Sequence, residues 1–240
     1  MENDVIDPGR ILPFRSPVDE HGGIVGISDD ISMQRLYSAY MQGVFPWFDE
    51  DDGEPVVWYC PPVRFCMDSR DFHVPKSLRR FLKKTPFTYT MDNDFAAVID
   101  GCRRMGRKGQ DGTWIGDKMV RAYCRFHELG FAHSVEAWQD GKLAGGFYGV
   151  LIGSVFCGES MFTVESGSSK SAFALFADAF FASGGKLIDS QVYTDNIARY
   201  GAKEIIRDEF LFMERACLAV PLFADIRQEF ARVCGGAYER

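Results

Sequence analysis

Two polar residues, Asp189 and Gln191, stand in the short apolar stretch Leu187-Ile188-Asp189-Ser190-Gln191-Val192. Strand side chains alternate with period two, so a carboxylate and a carboxamide two positions apart share one face. Polar groups on an apolar strand need partners, because losing water without a hydrogen bond is costly. The partner is either a neighbouring loop, which the pair would tie to the strand, or a ligand in a cleft. A second carboxylate, Glu159, sits among the small and apolar residues of Phe156-Cys157-Gly158-Glu159-Ser160-Met161-Phe162. Gly158 beside it lets a backbone or a ligand approach closely. Glu159 is therefore placed to hold the ammonium group of an amino acid, or to pair with a nearby Lys or Arg.

Aromatic residues make up 14% of the chain, enough that most must be core. Trp47 and Trp114 are different, because both lie in short segments bounded by Gly or Pro. Tryptophans so placed line ligand sites or stack on bases. Phe147 and Phe156 fall on neighbouring strands and can wall an apolar pocket. Arg79-Arg80 and Lys83-Lys84 repeat at i, i+4 and share a helix face. That face is either simply solvated or a docking site for phosphates. The net charge of −7 argues against general nucleic-acid binding, but it is unevenly spread. Arg70 to Lys108 carries ten Lys/Arg against four Asp, a local +6 that leaves −13 for the remainder. One basic face on an acidic protein is what a single polyanion docking at one place requires.

These residues need elements to hold them. Asp140-Gly141 between two apolar runs is a hairpin signal. With a second break at Gly153-Ser154 it predicts antiparallel strands over about 133–139, 142–152 and 154–162. The small polar cluster Ser166–Ser169 caps a helix carrying Phe173 and Phe176 on helical spacing. Gly184-Gly185 ends that helix, the Leu187 stretch is a buried strand, and a short helix leads to Tyr200-Gly201. Upstream, helices are expected over Met33–Gln42, Pro75–Lys84, Asp94–Cys102 and Lys118–Leu129. Val56–Tyr59 is expected as a strand stopping at Pro61-Pro62, and a last helix over Ile226–Val233. The fold class is α+β. A small N-terminal domain (1–65) precedes an acetyltransferase-like α/β domain (66–240) with a mixed, mostly antiparallel sheet.

Composition narrows the classes. At 240 residues with 46% hydrophobic and 25% charged content, the chain reads as an ordinary globular protein. No apolar run approaches the ~20 residues of a membrane span, so no membrane is expected as partner. The acidic N-terminus MENDVIDPGR lacks a secretory pattern. Seven scattered cysteines without a C-x-x-C read as reduced thiols of a cytoplasmic protein. The four histidines show no zinc spacing. No phosphate-binding G-x-x-x-x-G-K-[ST] loop occurs, so neither metal nor nucleotide cofactor is expected. Arg103-Arg104-Met105-Gly106-Arg107-Lys108 only partly matches the pyrophosphate loop of acetyl-CoA acetyltransferases.

Four groups of residues, in order and over about residues 24 to 212, carry a family resemblance. Tyr40–Phe48 (YMQGVFPWF), Gly112–Ile115 (GTWI) and Ala132–Trp138 are the first three. The last runs from Cys157–Phe162 (CGESMF) through Ser169-Lys170 to Leu187-Ile188-Asp189 and Gln191. Together they resemble the leucyl/phenylalanyl-tRNA–protein transferases. The resemblance implies transfer of Leu or Phe, with leakage to Met, from aminoacyl-tRNA to proteins with N-terminal Arg or Lys, marking them for N-degron degradation. It implies Asp189 and Gln191 as the catalytic pair and Glu159 as a contact of the donor's aminoacyl end. Phe147, Phe156, Phe173 and Phe176 then receive the donor side chain, while Tyr40, Trp47 and Trp114 surround the terminal adenosine. The charge pattern adds the expectation that Arg79, Arg80, Lys83 and Lys84 contact tRNA, and a monomer is expected. Val164, Gly167 and Asn196 depart from the family pattern, which bears on donor or acceptor preference. Two other classes remain compatible: a Fem-like or acyl-CoA-dependent N-acyltransferase, and a non-enzymic adaptor for basic N-termini.

Overall fold

The computed structural model describes residues 5–16, 21–47, 55–105 and 115–236. Its three-stranded antiparallel sheet has the order β1 (Ile24–Ser28), β3 (Val56–Tyr59), β2 (Phe45–Trp47). Helix α1 (Met33–Tyr40) connects the first two of these strands in sequence. Ser32 caps it by accepting the Arg35 N–H, as the serine before an apolar-periodic stretch predicts.

The large sheet has seven strands. In chain order these are β4 (Val63–Met67), β5 (Thr88–Met91), β6 (Ala132–Gln139), β7 (Lys142–Ile152), β8 (Val155–Thr163), β9 (Leu187–Asp189) and β10 (Lys203–Ile206). In space they run β10-β4-β9-β8-β7-β6-β5, antiparallel throughout except for the β8–β9 pair. The predicted hairpin is present. Asp140 (φ 51°) and Gly141 (φ 73°) both take the left-handed conformation that a tight two-residue turn needs.

Helices cover both faces of this sheet. On one face, α3 (Phe95–Arg104) and α4 (Asp117–Glu128) share a core with the N-terminal sheet, joining Tyr40, Phe45 and Trp58 to Val98, Tyr123 and Tyr148. On the other lies α5 (Ser168–Ala182), buried almost all round, with α2 (Lys76–Leu82) and α8 (Ile226–Gly235) beside it. The short α6 (Asp195–Ala198) and α7 (Arg207–Leu218) complete the fold. Among the described residues no helix is long and apolar enough to cross a membrane.

Three strands carry no clear sequence signal. β5 and β10 form the sheet's two edges, and their polar or charged residues (Lys203, Glu204) suit exposed edges more than a strand pattern. β4 follows a Pro-Pro pair and carries Arg64 among Val63, Phe65, Cys66 and Met67, which hides its apolar character.

Candidate active site

Strands β8 and β9 part company at Cys157 and Asp189. Their parallel pairing covers only Val155–Cys157 against Leu187–Asp189, while β8 continues to Thr163. The chain leaves the sheet at the end of β9, and a cavity of about 360 Å³ opens beyond that point. Phe147, Phe156, Phe173 and Ile188 form its apolar side. Glu159, Asp189 and Gln191 form its polar side, with Trp47 at its border. Tyr148 also lines it, and the buried Tyr148 hydroxyl has no hydrogen-bond partner among the described residues.

The period-two reading of the Leu187 stretch fails after Asp189. Gln191 has φ 64°, a left-handed conformation that a Gln adopts at a cost of roughly 1–2 kcal/mol. Neighbouring bonds hold it there. Ser190 N–H donates to Phe65 C=O at 2.8 Å, Phe65 N–H donates to Gln191 C=O at 3.2 Å, and Gln191 N–H donates to Asp189 Oδ1 at 2.8 Å. The side chain then swings to Glu159, where Nε2 donates to Oε1 at 2.8 Å. The two residues meet through backbone and carboxylate, where strand alternation would have set their side chains in parallel.

Asp189 has a second, larger commitment. It is fully buried and forms a two-pronged ion pair with Arg64, itself 1% exposed, through Nε at 3.3 Å and Nη2. The guanidinium also donates from Nη1 to Gly43 C=O at 2.6 Å and lies between the rings of Phe45 and Phe210. Burial works against its charge, yet Asp189 outweighs that and holds the Arg64 pKa above its ordinary value. Glu214 of α7 completes the buried cluster. Burial pushes its carboxyl up to about 8, against the pull of Arg64, and its Oε1 has no hydrogen-bond partner among the described residues.

Glu159 reaches the cavity through a β-bulge. Ser160 pairs with Tyr148 and Gly158 with Gly149, so Glu159 is the extra residue. A bulge of this kind leaves the extra residue unpaired, bends the strand and re-aims a side chain. Its carboxylate accepts from Tyr40 at 2.7 Å, from Tyr123 at 3.2 Å and from Gln191. These partners are hydroxyl and amide groups, so the alternative of a Lys or Arg pair does not hold among the described residues. Burial drives its pKa up to about 7, with the two tyrosine bonds working the other way.

The remaining expected site residues divide. Trp47 is 40% exposed and borders the cavity. Phe176 is fully buried and backs Phe147 and Phe156, with ring centroids 5.4 and 4.4 Å away. Tyr40 is buried against Glu159 and forms no part of the cavity wall. Trp114 lies outside the described residues. Arg79, Arg80, Lys83 and Lys84 are all exposed on α2 and its C-terminal turn. Among the departures, Asn196 lines the cavity and Val164 is exposed. Gly167 caps α5 at φ 92°, where a Cβ would come within 2.8 Å of the Phe81 ring. Sequence reasoning missed Arg64, Tyr123 and the Glu159 bulge. A lone Arg in an apolar strand is itself the signal for a buried carboxylate partner. The bulge has no comparable mark beyond Gly158.

The cavity thus opens where two strands part, apolar at one end and hydrogen-bonding at the other. The family model described as leucyl/phenylalanyl-tRNA protein transferase matches residues 66–215, and that of its N-terminal domain matches residues 29–62. The chain belongs to this family. It is 44% identical over 198 residues to a leucyl/phenylalanyl-tRNA–protein transferase of Saccharophagus degradans, covering 82% of this chain and 80% of that one. It is also 44% identical over 201 residues to that of Sulfurimonas denitrificans, covering 83% and 86%. A solved GCN5-related N-acetyltransferase-like protein from Streptococcus suis aligns over 69% of this chain and 61% of its own at 14% identity. Its TM-score of 0.33 is too low to bear on the fold, which stands on the strand order above.

Proposed function

We propose that the protein transfers Leu or Phe from aminoacyl-tRNA to the N-terminal amine of proteins that begin with Arg or Lys. It would do so as a monomer in the cytoplasm, marking the acceptor for N-degron degradation. The observation that carries this reading is the two-ended cavity. Its Phe147–Phe156–Phe173 side suits the donor side chain, and Glu159 suits the donor's α-ammonium group. Trp47 and Trp114 take the terminal adenosine, and the exposed cations of α2 take tRNA phosphates. The unpartnered Tyr148 hydroxyl offers one more hydrogen bond to the bound aminoacyl group.

The reaction needs little from the protein beyond placement. The acceptor amine attacks the ester carbonyl, a C–N bond forms, and the C–O bond to the ribose breaks. The amine proton leaves with the departing ribose oxygen. An α-amine has a pKa of about 7.7–8.0, so a useful minority is neutral near pH 7. Holding amine and ester together is worth effective molarities of about 10⁵–10⁸ M. Asp189 is bound by Arg64 and by the Gln191 N–H, so it orients Gln191, and Gln191 orients the amine. An apolar pocket separates side chains one methylene apart by only ~1–3 kcal/mol, so Met is carried as a slower donor.

The test is transfer of label from Leu-tRNA to an Arg-initiated peptide by the purified protein. Absence of transfer from Leu-, Phe- and Met-tRNA alike overturns the reading. Acetyl transfer from acetyl-CoA without tRNA would assign the acyl-CoA class in its place.

A further inference from the structure

Arg64 forms no part of the cavity wall, yet its bonds reach two separate stretches that do. One is the end of β9. Nε and Nη2 donate to the two oxygens of Asp189, whose Oδ1 also takes the Gln191 N–H. The other is the start of β2. Nη1 donates to Gly43 C=O at 2.6 Å, and the guanidinium lies 5.0 Å from the centre of the Phe45 ring. Phe45 packs in turn against Trp47 and Tyr59, with ring centroids 6.4 and 5.9 Å away. Phe45, Trp47, Asp189 and Gln191 all line the cavity. One buried side chain on β4 therefore spans from the seven-stranded sheet to the N-terminal sheet, behind the wall that the two share.

We propose that Arg64 is a positioning residue for transfer: it fixes the wall that carries Trp47 relative to the strand end that carries Asp189 and Gln191, so that the donor's ester and the acceptor's amine meet in line. The inference rests on the transfer reading above, which puts the donor's adenosine at Trp47 and the amine at Gln191. A guanidinium suits this task where a plain cation does not. Its planar fork meets both oxygens of one carboxylate and leaves a third donor for Gly43. Its flat faces lie between Phe45 and Phe210, the second ring centre 4.3 Å away. A lysine ammonium presents its donors from a single point and cannot meet these partners together. Arg64 and Asp189 are 1% and 0% exposed, so solvent does not replace a bond that is lost.

The experiment is steady-state transfer from Phe-tRNA to an Arg-initiated peptide by Arg64→Lys, which keeps a charge beside Asp189 and loses the fork. In the folded variant kcat should fall by about 10²-fold, as when reacting groups are displaced by an ångström. KM for Phe-tRNA should rise severalfold, because the Trp47 wall loosens with it. The two changes together support the inference. A merely structural Arg64 would lower the unfolding midpoint and leave both parameters of the folded protein at the parent values, which overturns it. A change in kcat alone or in KM alone also overturns it, since one flank is then held without Arg64. Absence of transfer by the parent overturns the transfer reading and the inference with it. Phe210→Leu decides where Arg64→Lys does not fold. It takes one ring from the guanidinium, keeps the ion pair and lies outside the cavity wall. Both parameters should move in the same directions by smaller factors, and parent values overturn the inference.

Discussion

Asp189 holds Gln191 by its main chain: the Gln191 N–H donates to Asp189 Oδ1 at 2.8 Å, while the glutamine side chain turns away to Glu159. The carboxylate thus sets where the amide points without touching the amide itself. Arg64 stands behind it, so the geometry of one cavity residue is anchored in a buried ion pair.

Breaking that pair from one side should be severe. Arg64→Met or Asp189→Ala leaves an uncompensated buried charge and should destabilise the fold by about 3–5 kcal/mol. The double variant should cost clearly less than the two single changes together. Thermal or denaturant unfolding of the three variants measures this. Simple additivity would mean that the two charges do not depend on each other.

Gln191→Gly separates strain from chemistry. Glycine accepts φ 64° freely, which offsets the missing Glu159 bond, so stability should change by less than about 1 kcal/mol. Transfer should fall by about 10²-fold, as expected when a reacting group is misplaced by an ångström. Steady-state kinetics beside an unfolding curve checks both halves.

Two carboxyls give stability a pH dependence of definite sign. Glu159 and Glu214 are raised by burial from 4.5 to about 7 and about 8. The folded state then binds protons that the unfolded state has released. Their contribution is fully present below about pH 4.5 and is lost as pH rises through 7 to 8. Glu214→Gln should therefore match the parent near pH 5 and exceed it by about 2–4 kcal/mol near pH 9. Unfolding curves at the two pH values decide it.

Arg79, Arg80, Lys83 and Lys84 changed together to Glu should weaken tRNA binding strongly at low salt. The slope of log affinity against log salt should become shallower by about three, at roughly 0.7–0.9 for each phosphate no longer neutralised. An unchanged slope would remove α2 from the tRNA interface.

Much of the positioning framework is legible in the sequence. The Asp140-Gly141 turn sets the β6–β7 register, the apolar periodicity locates α5, and Phe147 and Phe156 follow from adjacent strands. What stays hidden depends on contacts distant in sequence. Arg64 and Asp189 are 125 positions apart, and neither stretch announces the other. The turn at Gln191 breaks strand alternation by a backbone conformation that no residue type there demands. Tyr123 reads as an ordinary core residue of an amphipathic helix until Glu159 is placed beside it.

The bulge in β8 has a further consequence. Gly158 and Ser160 already face Gly149 and Tyr148, so removing Glu159 outright would let the ladder close without shifting either flank. On the proposed reading, a single-codon deletion would yield a silent twin: the same scaffold without the carboxylate that receives the donor's amine.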